Sequence, residues 1–155
     1  RIVAVGDTEF RDKDEHVLPG FGSVVAVTRY NEDGSPDTSL AGTGRFYVPF
    51  LDETGHWFNG VRALTLDGER IVLAATYYTW TDNVFFLLRL NGDGTYDTNF
   101  GPDGNGFSAE AMLGWETHQL GLRIDPDGAY RVPFAIVRDS SYETIAVGAA
   151  RTLAE

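Results

Sequence analysis

The chain has 155 residues, 43% of them hydrophobic, which is enough to bury a core within one domain. Twelve Lys and Arg against 23 Asp and Glu leave a net charge of −11, which repels a phosphate backbone and argues against nucleic acid or an anionic membrane as partner. The absence of cysteine excludes disulfides and thiolate metal sites, and no apolar run approaches the roughly 20 residues of a membrane helix.

Arg1-Ile-Val-Ala-Val5 is the first strand of the chain, near 1–6. It opens without an initiating Met, so the sequence reads as a piece of something longer. Thr8 to Pro19, rich in Asp, Glu and Lys, reads as an exposed insertion before a second strand near 23–30. Arg29-Tyr-Asn-Glu-Asp-Gly-Ser-Pro-Asp-Thr-Ser-Leu40 follows and returns as Arg89-Leu-Asn-Gly-Asp-Gly-Thr-Tyr-Asp-Thr-Asn-Phe100, identical at six of twelve places and displaced by 60. The hairpin signals Asp67-Gly68 and Asp127-Gly128 recur at the same spacing, since Gly reaches positive φ without strain and Asp tolerates it. Trp57 and Trp115 recur at 58, because the second hairpin turns through Asp125-Pro126-Asp127-Gly128, two residues longer than the first.

Between these markers the expected strands lie near 44–50, 60–66, 70–78 and 84–91, then near 105–112, 119–125, 130–137 and 144–152. Arg70-Ile-Val-Leu-Ala-Ala-Thr-Tyr77 and Arg131-Val-Pro-Phe-Ala-Ile-Val137 are apolar on consecutive residues, as strands buried on both faces must be. Pro133 lacks the N–H of a central ladder, so a bulge is expected there. No stretch combines a helical period with caps. The chain divides into a half unit at 1–43, a full unit at 44–103 and a second at 104–155. Four antiparallel strands at this period predict an all-β partial β-propeller, each sheet buried against its neighbours, with Ile71 to Ala75 and Phe134 to Val137 inside. A β-sandwich is the alternative.

The succession of Asp-Gly turn, apolar strand and Arg-x-Asn-x-Asp-Gly-x-x-Asp-Thr-x-Phe, as in Arg89 to Phe100, resembles the delta-60 repeat of bacterial, mostly secreted or surface-associated proteins. Arg29 to Leu40 departs from the pattern at its end, where Leu40 and Ala41 stand for Phe and Gly, and a third copy keeps Arg151 and Leu153. The resemblance implies a propeller-like scaffold, an extracellular or cell-surface location, and no catalytic residues to carry over.

Hard oxygen ligands at Asn91, Asp93, Asp97 and Asp103, interleaved with Gly, suit a calcium loop, but Gly94 and the missing twelfth-position Glu break the EF-hand spacing. The structural reading has Asp37 and Asp97 capping a tight turn while Leu40 and Phe100 plug the space between units. No cofactor is therefore expected. His16, His56 and His118 share no repeat position; a Glu116 and His118 dyad is the one hydrolase arrangement on offer, against a plain surface hydrogen bond. No Gly-x-Ser-x-Gly elbow occurs near Ser23 or Ser108, and Gly101 to Gly106 lacks the Lys and helix of a phosphate loop. Trp57 and Trp115 recur in register, as packing residues do, whereas Trp80, beside Tyr77 and Tyr78, has no counterpart; Trp80 and Tyr78 are the candidates for binding a glycan or peptide. The expected function is a non-enzymatic scaffold or binding module, with a hydrolase as alternative. Both ends fall inside a repeat, so the expected partners are other blades of one assembly or a second copy of the chain.

Overall fold

The computed structural model describes residues 1–9, 23–48, 57–78, 82–113, 116–119, 121–137 and 144–152. Among the described residues eleven strands follow in order: β1 (Ile2–Glu9), β2 (Ser23–Tyr30), β3 (Arg45–Val48), β4 (Trp57–Asp67), β5 (Arg70–Tyr78), β6 (Asp82–Leu90), β7 (Phe107–Leu113), β8 (Glu116–Gln119), β9 (Arg123–Ile124), β10 (Tyr130–Val137) and β11 (Thr144–Thr152). No described residue is helical. The Thr8 to Pro19 insertion begins later than expected, because Thr8 still pairs with Val24 in the β1–β2 ladder; its remainder past Glu9 lies outside the described residues.

Every pairing among the described residues is antiparallel, and these strands form three sheets: β1-β2-β3, then β4-β5-β6-β7, then β10 between β11 and the β8 and β9 pair. The consecutive apolar residues of β5 and β6 explain the stacking, because neighbours in a strand point to opposite faces. Ile71, Leu73 and Ala75 with Phe86, Leu88 and Leu90 meet Val25, Val27 and Val48 of the first sheet. Val72, Ala74, Phe85 and Leu87 meet Tyr130 and Val132 of the third. All of Ile71 to Ala75 are fully buried. A middle sheet covered on both faces makes three layers, which sets aside the two-layered sandwich: the described residues form an all-β, unclosed set of antiparallel sheets, as in a partial β-propeller.

The sheets cut the chain at a different phase from the sequence units at 44 and 104. β3 and β7, which open those units, each close the preceding sheet by pairing with β2 and β6. The cause is local, since the Arg29 amide donates to Gly44 O at 2.9 Å and the Arg89 amide to Gly106 O at 2.8 Å, so each returning chain is zipped onto the strand it left. Gly44 and Gly106 make this return at φ of 77° and 81°, and a Cβ on Gly106 would stand 3.1 Å from Arg89 O.

The strand expected over 119–125 is two short pieces, β8 and β9, and the break faces Val132 and Pro133. Pro133 still pairs with Ala149 of β11, and the register shift of β10 falls at Ile136/Val137, so the proline interrupts its neighbour and does not bulge its own strand. The side chains of Phe134 to Val137 lie outside the described residues.

Candidate functional site

The two copies of the Arg-x-Asn-x-Asp-Gly motif form matching loops after β2 and β6. Each opens with a turn in which the Asn31 or Asn91 amide donates to the carbonyl of Ser35 or Thr95, with Gly34 or Gly94 at positive φ. Asp33 Oδ1 accepts from the Ser35 amide and hydroxyl at 2.9 and 2.6 Å, and Asp93 Oδ1 from those of Thr95 at 2.9 and 2.7 Å. These bonds hold both carboxyls below the ordinary carboxylate range.

The second aspartate of each loop is buried. Asp37 Oδ1 accepts from the Ser39 amide and hydroxyl, and its Oδ2 receives Arg29 Nε at 2.9 Å and Arg1 Nε at 3.1 Å. Asp97 Oδ1 accepts from the Asn99 amide at 3.0 Å, and its Oδ2 receives Arg89 Nε at 2.8 Å and Arg70 Nε at 3.0 Å. Burial alone would push the Asp97 carboxyl up; the Asn99 amide, Arg89 and Arg70 outweigh it and hold it below the usual range. For Asp37 the Ser39 hydroxyl is the largest cause of the same lowering, with Arg29 and Arg1 adding to it against desolvation.

The two arginines also reach across to the next sheet. Arg29 Nη1 donates to Gly92 O at 2.6 Å, and the Ala41 amide to Asp93 O at 2.8 Å, so the first loop is bonded to the second. Arg89 Nη1 donates to the Tyr130 hydroxyl at 3.1 Å, which donates in turn to Asp67 Oδ2 at 2.7 Å. The Arg89 guanidinium lies 4.6 Å from the Phe100 ring centroid, and Phe100 meets Tyr130 edge to face at 5.7 Å. Leu40 and Phe100 are buried in the two inter-sheet cores, as plugs. The motif is thus a clasp between neighbouring sheets.

This geometry bears on the calcium ligands. Asp97 is committed to an amide and two guanidinium groups, which repel a divalent cation; Asp93 holds its own turn; Asn91 Nδ2 donates to Thr95 Oγ1 at 3.0 Å; and Asp103 is exposed. Among the described residues, no three acidic or histidine side chains converge to hold a metal ion. Tyr78 ends β5, opposite Trp57 on one side and Asn83 on the other, by backbone register. Glu116 and His118 lie on β8 opposite Val137 and Ala135. Trp80, Trp115, His16 and His56 lie outside the described residues.

Sequence reasoning left the arginines of the motif without a role, although both stand eight places before the buried aspartate, and that repeated spacing was the available signal. Tyr130 and Asp67 had none, because the bonds of Tyr130 to Arg89 and to Asp67 join separate units and, among the described residues, occur once. A further polar cluster sits at the β9–β10 turn, where Arg123, Asp125, Pro126, Asp127 and Arg131 line an open pocket of about 540 Å³.

No curated protein and no solved structure matches the chain. Residues 69–100, running from the β4–β5 turn through β5 and β6 to the plug Phe100, match a family model described as a beta-propeller domain of unknown function (DUF5122), and this stretch is similar to a repeat of that β-propeller kind.

Proposed function

We propose that the chain is a non-enzymatic β-propeller scaffold or binding module of a secreted or surface-exposed bacterial protein. The observation that supports this most is the clasp: Arg29, Asp37, Arg89 and Asp97, the motif's charged and buried residues, fasten sheet to sheet. A stack fastened at each layer is a rigid platform, and its loops are left to make contacts with a partner. The β5–β6 connection, with Tyr78 and Trp80, is the proposed contact loop, and a glycan or a peptide is the proposed ligand. The match of residues 69–100 to a β-propeller family agrees with this role.

A glycan and peptide array tests the reading: specific binding that Trp80→Ala weakens at least tenfold, with an unchanged melting curve, is expected. A hydrolytic activity lost in His118→Ala without unfolding overturns it in favour of an enzyme. No cofactor is needed for this role, so melting unchanged by calcium or chelator is expected. The partners proposed for the stack itself are further blades of one assembly or a second copy of the chain.

A further inference from the structure

The pocket at the β9–β10 turn is built differently from the clasps. Arg123 and Arg131 are directly opposed in the β9–β10 ladder, and Arg131 is opposed on its other side by Arg151 of β11. Three arginines thus occupy adjacent register positions across one sheet, in a chain with a net charge of −11. Like charges at opposed positions such as Arg123 and Arg131 are unfavourable unless a counter-charge joins them.

One carboxylate organises the first two. Asp125, with a side chain only 10% exposed, offers Oδ1 to Arg123 Nε at 3.3 Å and Oδ2 to Arg131 Nε and Nη2 at 3.0 and 2.7 Å. Asp125 is in turn fixed by its own turn, its amide donating to Ala129 O and its carbonyl accepting from the Gly128 amide. Asp127 spends an oxygen on the Ala129 amide at 3.2 Å. Arg123, with a side chain 67% exposed, and Arg131, 39% exposed, each bring a partly exposed guanidinium group to the pocket, beside the Asp127 carboxylate that also lines it. Both guanidinium groups are planar N–H donors already oriented by a buried carboxylate, the arrangement that receives a second, incoming oxyanion.

We propose that this pocket is a binding site for an oxyanion of a small or extended ligand, a carboxylate or a phosphate or sulfate group, gripped between Arg123 and Arg131. The proposal rests on the reading of the chain as a binding module and adds a site distinct from the Tyr78 and Trp80 loop.

NMR of the arginine Nε–Hε signals in the full chain, titrated with sodium acetate, phosphate or sulfate against sodium chloride at matched ionic strength, tests it. Saturable shifts of the Arg123 and Arg131 signals with one of the oxyanions are expected, weakened at least tenfold in Arg123→Gln. The relative strength of acetate and the two inorganic anions tells a carboxylate ligand from a phosphate or sulfate one. Shifts that merely follow chloride, or that persist in Arg123→Gln, overturn the site and leave the two arginines as a hairpin staple only. Because Arg131→Gln removes bonds that hold the turn, the exposed Arg123 carries the test, with an unchanged melt as its control. Array binding by the whole chain, lost in Trp80→Ala, with no saturable anion shift at Arg123 or Arg131 rejects this site and keeps the binding-module reading. An empty array with saturable anion binding does the reverse.

Discussion

Asp97 is almost shut off from water, its side chain 2% exposed, and the Arg89 beside it is 3% exposed. Removing one partner of a buried pair strands the other charge, so Asp97→Asn is expected to cost about 3 kcal/mol, read as a lower urea midpoint. Arg70, nearly half exposed, adds to the same carboxylate from outside; Arg70→Ala is expected to cost less than about 1 kcal/mol in the same measurement. The sign of the pH response follows from the lowered carboxyls of Asp37 and Asp97. A carboxyl held lower when folded stabilises above its unfolded value of about 3.9 and loses that contribution as pH falls through the folded value. Urea midpoints nearly flat from about pH 7 to 5 and falling below about pH 4 are expected, with a shallower fall in Asp97→Asn. At the matching place in the two loops, Ala41 has φ of 49° where Gly101 has 86°. A side chain in that left-handed region costs about 1 kcal/mol, so Ala41→Gly is expected to raise the melting temperature. At Gly101 a Cβ would overlap the Phe107 carbonyl, and Gly101→Ala is expected to lower it.

Whether a strand can be read from sequence depended on how many neighbours it has. β5 and β6 have a strand on each side and a sheet on each face, so their unbroken apolar runs announced them, and β5 matches the expected 70–78 at both ends. Leu73→Ala and Leu87→Ala, on opposite faces of the middle sheet, are therefore both expected to cost about 2–5 kcal/mol in chemical denaturation, whereas Leu66→Ala, at a side chain 48% exposed, should stay within about 0.5 kcal/mol. The division of β8 from β9 was not legible, because the proline responsible sits in the neighbouring strand. The phase of the sheets was hidden for a different reason: β3 has a sequence that fits either adjoining sheet, and the backbone bonds at Gly44 decide between them. At the clasp, the Asp caps and the plugs were legible because they occur twice, while the Tyr130 and Asp67 contacts, among the described residues, occur once and across units.

At the scale of the molecule, among the described residues, the middle sheet has four strands and its neighbours leave β1 and β11 each with a single partner strand. Such edges and the exposed Ile2 of the first sheet favour contact with another sheet. That outer face is thinner than the inner ones, however: the opposed pair Ala4 and Thr28 stands where Leu73 and Leu88 stand in the middle sheet. Weak, concentration-dependent association is the expected outcome, seen as a mass above 17.0 kDa by light scattering after size exclusion. A strictly monomeric species with a cooperative melt at every concentration rejects association through these faces. The closure of each sheet by the opening strand of the next unit reaches beyond this molecule, to the gene that encodes it. Recombination that adds or drops the stretch from one clasp to the next leaves every surviving sheet closed by an equivalent strand. Copy number can then drift over generations without passing through a half-built sheet, so lineages carrying such genes are free to vary in length by whole periods.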